Sequence, residues 1–376
     1  MQDTDPATPR SQAERLAAWV RLEQTPGVGA VTAQRLLARF STPQSIFSAS
    51  HLALREIVSD SVARAVCEPM PDACAAYLDT VFDWLADPDH HLLTLDDPAF
   101  PPLLRELAMP PLLLYACGRV ALLSAPAVAI VGSRNATGQG AANARAFASA
   151  LSTAGLTIVS GLALGIDAAA HEGGLRGPGS TVAVTGTGAD RIYPSRNEAL
   201  ARRIAQEGCV VSEYPLGSGP TPGNFPRRNR LISGMCCAVL VVEAAANSGS
   251  LITARLALDQ GREVFAIPGS IHAPLAKGCH ILIREGATLV DCVDDILIPL
   301  RVAPLATLAR QPDSSASLHA AQRALLDALG YDPVGADALG ALVGCDPAVL
   351  AGRLLALELA GHLERLPGGL FQRVKR

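Results

Sequence analysis

Aromatic side chains are scarce in this chain: Phe, Trp and Tyr make up 4% of its 376 residues. Few rings are therefore available as stacking platforms, and Phe225, Tyr193 and Phe265 are the ones beside turn-rich segments. Positive charge is also lacking overall, with a formal net charge of −4. That excludes a general polyanion sponge, so any nucleic-acid affinity must come from local clustering. The 9 cysteines contain no C-x-x-C pair, and no spacing resembles a zinc framework. A reducing, cytoplasmic setting is the simplest expectation. The longest apolar run, Val120–Val131, is broken by Ser124 and Pro126, and it falls short of the ~20 residues a membrane span needs. Met1–Arg10 is polar, unlike a secretory leader. There is no G-x-G-x-x-G and no Walker lysine, so no cofactor motif is complete.

Against this background Asn224-Phe225-Pro226-Arg227-Arg228-Asn229-Arg230 stands out, with three guanidiniums and a ring in one short segment. Arginine forks hold phosphates through paired hydrogen bonds, and a ring offers a face to a base. The competing reading is a helix face laced with ion pairs.

The surrounding pattern gives an α/β fold. Residues 1–90 read as short helices, with Thr25-Pro26-Gly27-Val28-Gly29 as a tight turn between two of them, fitting a helix-hairpin-helix. From 91 to 300, apolar runs at Val128–Val131, Thr157–Ser160, Thr181–Thr185, Cys209–Ser212, Ala238–Val242 and Glu263–Ile267 alternate with helical segments. Such runs predict a Rossmann-like parallel sheet covered by helices. Residues 301–317 read as a linker. Residues 318–376 give three helices and a hairpin turning at Pro367-Gly368-Gly369, the outline of a winged helix. Its third helix carries only Arg353 as a base, too little for reading a duplex.

Several strand ends carry turns suited to anions. Gly132-Ser133-Arg134 opens a glycine-rich turn into a helix, where amides and the helix dipole face an anion; close helix–sheet packing is the other use of such glycines. Gly161 and Gly165 flank the next turn, followed by Asp167 and His171 on one helix face. Asp167 suits a cap or a loop anchor, and His171 either meets a ligand or is a satisfied core histidine. Arg196 opens a helix, where a cation fits best if an anion is present. Ser248-Gly249-Ser250 forms a further turn after Glu243. Together these loops predict a phosphate-lined groove at the carboxyl edge of the sheet. No catalytic constellation can be assembled from the sequence.

The motifs Ala129–Arg134, Ser160–Asp167 with His171, Asn224–Gly234, Glu243 with Ser248–Ala254, Phe265–Gly269 and Gly278–Ala287 closely resemble the DprA/Smf family. The resemblance implies a non-enzymatic protein that binds and protects single-stranded DNA after uptake. It also implies help in loading a RecA-type recombinase during natural transformation, and a core that forms a homodimer. By motif, Arg134 and Arg196 resemble the family's pocket cations, the Arg227–Arg230 cluster the rest of its DNA surface, and His280 and Leu289 its self-association face. Two alternatives stand beside this. One is a nucleotide-processing enzyme of the LOG phosphoribohydrolase type, although Thr253 occupies the place of the catalytic glutamate there. The other is a winged-helix regulator of duplex DNA.

Overall fold

The computed structural model describes residues 9–302 and 320–374. Most of the linker read at 301–317, the start of the helix read from 318, and Lys375 and Arg376 of the wing lie outside the described residues.

The core is a nine-stranded sheet in the order β1-β2-β6-β5-β4-β3-β7-β8-β9. Its strands are β1 His90–Thr94, β2 Leu113–Gly118, β3 Ala127–Val131, β4 Thr157–Ser160, β5 Thr181–Val184, β6 Cys209–Ser212, β7 Ala238–Val241, β8 Glu263–Ala266 and β9 Thr288–Leu289. From β6 to β9 every neighbour is parallel, and the residues of β3 to β7 are all buried, as continuous apolar runs require. The sheet is nonetheless mixed. β1 and β2 form an antiparallel pair, and β2 joins β6 antiparallel. The pattern of the sequence concealed β2, because it lies among proline turns and is followed only by a short 3₁₀ segment, Val120–Ser124, before β3. The chain moves outward from β3 through β4, β5 and β6, then returns to the other side of β3 with β7. Order reverses at β3, and open sheets bind ligands in the crevice at such a switch point.

The N-terminal helices share their core with this sheet. Trp19, Leu22, Leu36, Ile46 and Leu54 pack in one cluster with Leu92, Leu113, Tyr115 and Leu216. A hydrogen-bonded chain crosses the same contact. The Leu216 amide donates to Tyr77 Oη at 2.9 Å, the Tyr77 hydroxyl to Tyr115 Oη at 2.9 Å, and the Tyr115 hydroxyl to Glu23 at 2.9 Å. Burial pushes the Glu23 carboxyl up to about 7. Among the N-terminal helices are His51–Arg55 and Asp60–Cys67, with a turn between them.

The C-terminal region is a winged helix. Helices Ala320–Leu329, Ala336–Val343 and Pro347–Leu359 lead into the hairpin of β11 Leu363–Leu366 and β12 Leu370–Arg373, and β10 Val334–Gly335, between the first two helices, completes a three-stranded sheet. It has its own core, including Leu325, Leu339, Leu354 and Leu363. Among the described residues no single helix is long and apolar enough to cross a membrane.

Candidate nucleic-acid interface

The turn after β3 starts the rim. Gly132 sits where a Cβ would lie 2.7 Å from Ile166 and 2.8 Å from the Glu243 carbonyl, so this glycine serves close packing. Thr137 caps the Gly138–Thr153 helix by accepting from the Gly140 amide at 2.9 Å. The helix N-terminus that the sequence aims at an external anion is met by the chain's own carboxylates. Thr137 donates to Glu243 through its amide at 3.0 Å and its hydroxyl at 2.6 Å. The Gly138 amide donates to both Glu364 oxygens at 2.7 Å. Burial raises the pKa of both carboxyls while these donors pull it back. The dipole attracts the nearest anion, and here the fold supplies two. Those amides are therefore already occupied, and the cation this turn leaves at the surface is the Arg134 side chain.

Arg134 is exposed, and its guanidinium lies 6.0 Å from the centre of the Phe225 ring. Phe225 in turn meets Tyr193, with ring centres 5.5 Å apart and planes inclined by 39°. A Cβ on Gly186 would come within 2.8 Å of the Phe225 ring, so this glycine lets the ring lie against the end of β5. Arg196, also exposed, follows Tyr193 in a short 3₁₀ turn, Ser195–Asn197. The Asn197 amide side chain pins that turn to the loop after β4, donating to the carbonyls of Leu162 at 2.8 Å and Ala163 at 3.1 Å. Turns after β3, β4 and β5 and the start of the Asn224–Gly234 helix thus meet at one place.

The three guanidiniums of that helix have separate fates, because successive helical residues turn by about 100°. Arg227 is exposed. Arg228 is 4% exposed and donates to the carbonyls of Gly161, at 2.8 Å, and Val184. Burial lowers its pKa to about 10, so it stays charged at neutral pH. Arg230 pairs with Glu213. The sequence grouped all three as a DNA-facing cluster. Arg228 is instead an internal brace and Arg230 is largely neutralised, so the ion-pair reading holds for that part of the helix. Asn224 likewise turns inward, donating to the Gly186 carbonyl at 3.2 Å while its own carbonyl accepts from the Tyr214 hydroxyl at 3.0 Å.

Gly161 and Gly165 also belong to the scaffold. A Cβ on Gly161 would stand 2.6 Å from Arg228, and Gly165, with φ of 78°, would press on the Ser133 carbonyl at 2.3 Å. Asp167 orders the intervening loop by accepting from the amides of Gly161 at 3.2 Å and Ala163 at 3.4 Å. His171 is a satisfied core histidine. Its Nε2 accepts from the Leu162 amide at 3.3 Å, and its Nδ1 contacts Thr181 Oγ1 at 2.7 Å. Burial lowers its pKa to about 3, so the ring is neutral and neither nitrogen is left for a metal.

A cavity of about 460 Å³ opens at this edge, with Ser133, Arg134, Phe225, Arg228, Asn229, Ser248, Gly249 and Ser250 in its wall. Ser248 and Ser250 are joined through their hydroxyls at 2.7 Å. Asn135 and Asn247 line it too, with Thr253. The sequence reading missed both asparagines as site residues, although each lies inside a turn it had singled out. The cavity wall does not include Arg196, Asn224, Arg227 or Arg230. At the far margin of the sheet, Leu289 is 47% exposed on β9, and the His280 ring contacts the Gly269 carbonyl at 3.0 Å.

A switch-point crevice with exposed arginines and rings at its mouth marks a Rossmann-like α/β protein with a candidate ligand-binding edge. Comparison with known proteins narrows the class. Residues 91–301 match the family model described as DNA recombination-mediator protein A, and residues 309–369 match the DprA winged helix domain. Protein Smf of Escherichia coli K12 is 41% identical over 300 residues, covering 78% of this chain and 80% of the relative. DNA processing protein DprA of Streptococcus pneumoniae R6 is 48% identical over 203 residues, covering 54% of this chain and 71% of the relative. The X-ray structure of DprA from Streptococcus pneumoniae aligns with a TM-score of 0.61 at 36% identity, over 75% of this chain and 97% of that one. A DprA structure from Helicobacter pylori, described as giving insight into its unique single-stranded DNA binding mode, aligns with a TM-score of 0.51 at 31% identity, over 56% and 96%. The chain belongs to the DprA/Smf family of DNA recombination mediators.

Proposed function

We propose that this chain binds single-stranded DNA along the carboxyl edge of its sheet, protects it, and helps load a RecA-type recombinase onto it during natural transformation. The observation that carries the reading is the meeting of Arg134, Phe225 and Tyr193, with exposed Arg196 and Arg227 on the flanking segments. Unpaired cations hold a sugar-phosphate chain, and rings accept its bases, without reading sequence. The family membership and the single-stranded DNA binding described for the Helicobacter pylori relative support it. The role is one of binding and delivery, not turnover. Thr253, a hydroxyl in the cavity wall, stands where a nucleotide hydrolase of the related type places its glutamate base. Self-association as a homodimer fits the margin at β9, a short edge strand whose two residues are both exposed. The setting for such a role is cytoplasmic.

Fluorescence anisotropy with an unstructured oligonucleotide and a duplex of equal length, across a salt series, tests the reading. Tighter binding to the single strand is expected, with affinity falling steeply as salt rises. Equal or tighter duplex binding, or affinity indifferent to salt, would refute it.

A further inference from the structure

Tyr193 is 46% exposed, and no partner for its hydroxyl is found among the described residues. The other tyrosines near the sheet are anchored through theirs: Tyr77, Tyr115 and Tyr214 all donate or accept hydrogen bonds. Tyr193 contributes little to the core, and its exposed ring keeps a large apolar face open to a ligand. Phe225 is in the opposite position. Its ring is half-buried, forms part of the cavity wall, and already meets Gly186, the Arg134 guanidinium and Tyr193. Of the two rings, Phe225 is the support and Tyr193 the one with surface to spare.

From this we infer that Tyr193 is a base-stacking platform, so the rim binds single strands through their bases as well as their phosphates. The inference rests on the single-strand reading above. Phe225 fixes the tilt and position of Tyr193, which lets the ring offer its outer face without losing rotamer freedom on binding. Arg196, three residues further along the same segment, and Arg134, across Phe225, then flank the stacked nucleotide with positive charge. Stacking of this kind tolerates any base, because every base has a π-face, and favours purines through their larger area.

Two strands of equal length and charge separate this from phosphate binding: an ordinary oligonucleotide and one whose sugars are abasic. The protein as it stands should hold the ordinary strand more tightly. Tyr193→Ala should weaken binding to the ordinary strand by about tenfold, within the range that base–aromatic stacking supplies, and leave the abasic strand unaffected. Tyr193→Phe should keep wild-type affinity, and Tyr193→Leu, which keeps apolar bulk without a ring, should behave as the alanine variant. Thermal melting of each variant confirms that the exposed position does not unfold the chain. An equal loss on both strands would assign Tyr193 to shaping the loop, and no loss on either would remove it from the interface; both overturn the inference. Failure of the unsubstituted protein to bind either strand would strike the single-strand reading itself.

Discussion

The helices Asn224–Gly234 and Pro347–Leu359 each lie where nucleic acid could be met, and they present opposite chemistry. The first carries exposed Arg227 beside Phe225, on a rim shared with Arg134 and Tyr193. The second exposes Val349, Leu355 and Leu359, the last at 81%, with Arg353 only half-exposed. A groove-reading helix needs side chains able to bond base edges or phosphates, and an apolar face offers neither. On the proposed reading, phosphate contact belongs to the sheet edge, and the winged helix presents an apolar surface instead.

A second contrast concerns attachment. The N-terminal helices bury their apolar faces against β1 and β2 and are continuous with the sheet's packing. The winged helix keeps a core to itself, and a polar contact, Glu364 on the Gly138 amide, joins it to the sheet. One flanking region is sewn in; the other is docked.

The largest effect should come from the arginine that never reaches the surface. Arg228→Leu removes the partner of two buried carbonyls, at Gly161 and Val184, and should cost about 3 kcal/mol of stability in a denaturant titration. Its neighbour should do the reverse. Arg227→Ala should leave stability intact and lower single-strand affinity by about tenfold, the scale of one charge-assisted contact. If the two substitutions acted alike, the division of labour within that helix would be wrong.

A pH effect should report on the N-terminal flanking region. The Glu23 pKa of about 7 lies above its ordinary 4.5, so folding favours the protonated carboxyl. Its contribution is complete below the ordinary value and is lost as pH rises through about 7. Stability of the N-terminal packing should decline across that window, and Glu23→Gln should flatten the decline, as followed by Trp19 fluorescence. The smallest effect belongs to the winged helix: Arg353→Ala should change affinity for single strand or duplex by less than about twofold, since no phosphate contact and no counterion release is lost.

Much of this was legible in the residues. Buried parallel strands announce themselves as unbroken apolar runs, and the strands from β3 to β8 fall where such runs predict, to within a residue. β2 escaped because an antiparallel edge pair needs no following helix. The site was legible as a set of turns but not as a set of roles. Composition cannot say which of three neighbouring arginines faces inward, since that depends on the rotation of one helix against Gly161 and Val184. Nor can it foresee that Glu364, 226 residues from Gly138 in sequence, takes the helix N-terminus meant for a phosphate. His171 was undecidable for the same reason: its partners are Leu162, in the loop after β4, and Thr181, at the start of β5.

The central claim is that exposed arginines from separate turns hold one nucleic-acid backbone. Arg134→Ala tests it most directly, through the dependence of single-strand affinity on salt. The account predicts a folded protein whose plot of log affinity against log salt is shallower by about 0.7, the share of one phosphate contact on a single strand. An unchanged slope in a folded variant would contradict it.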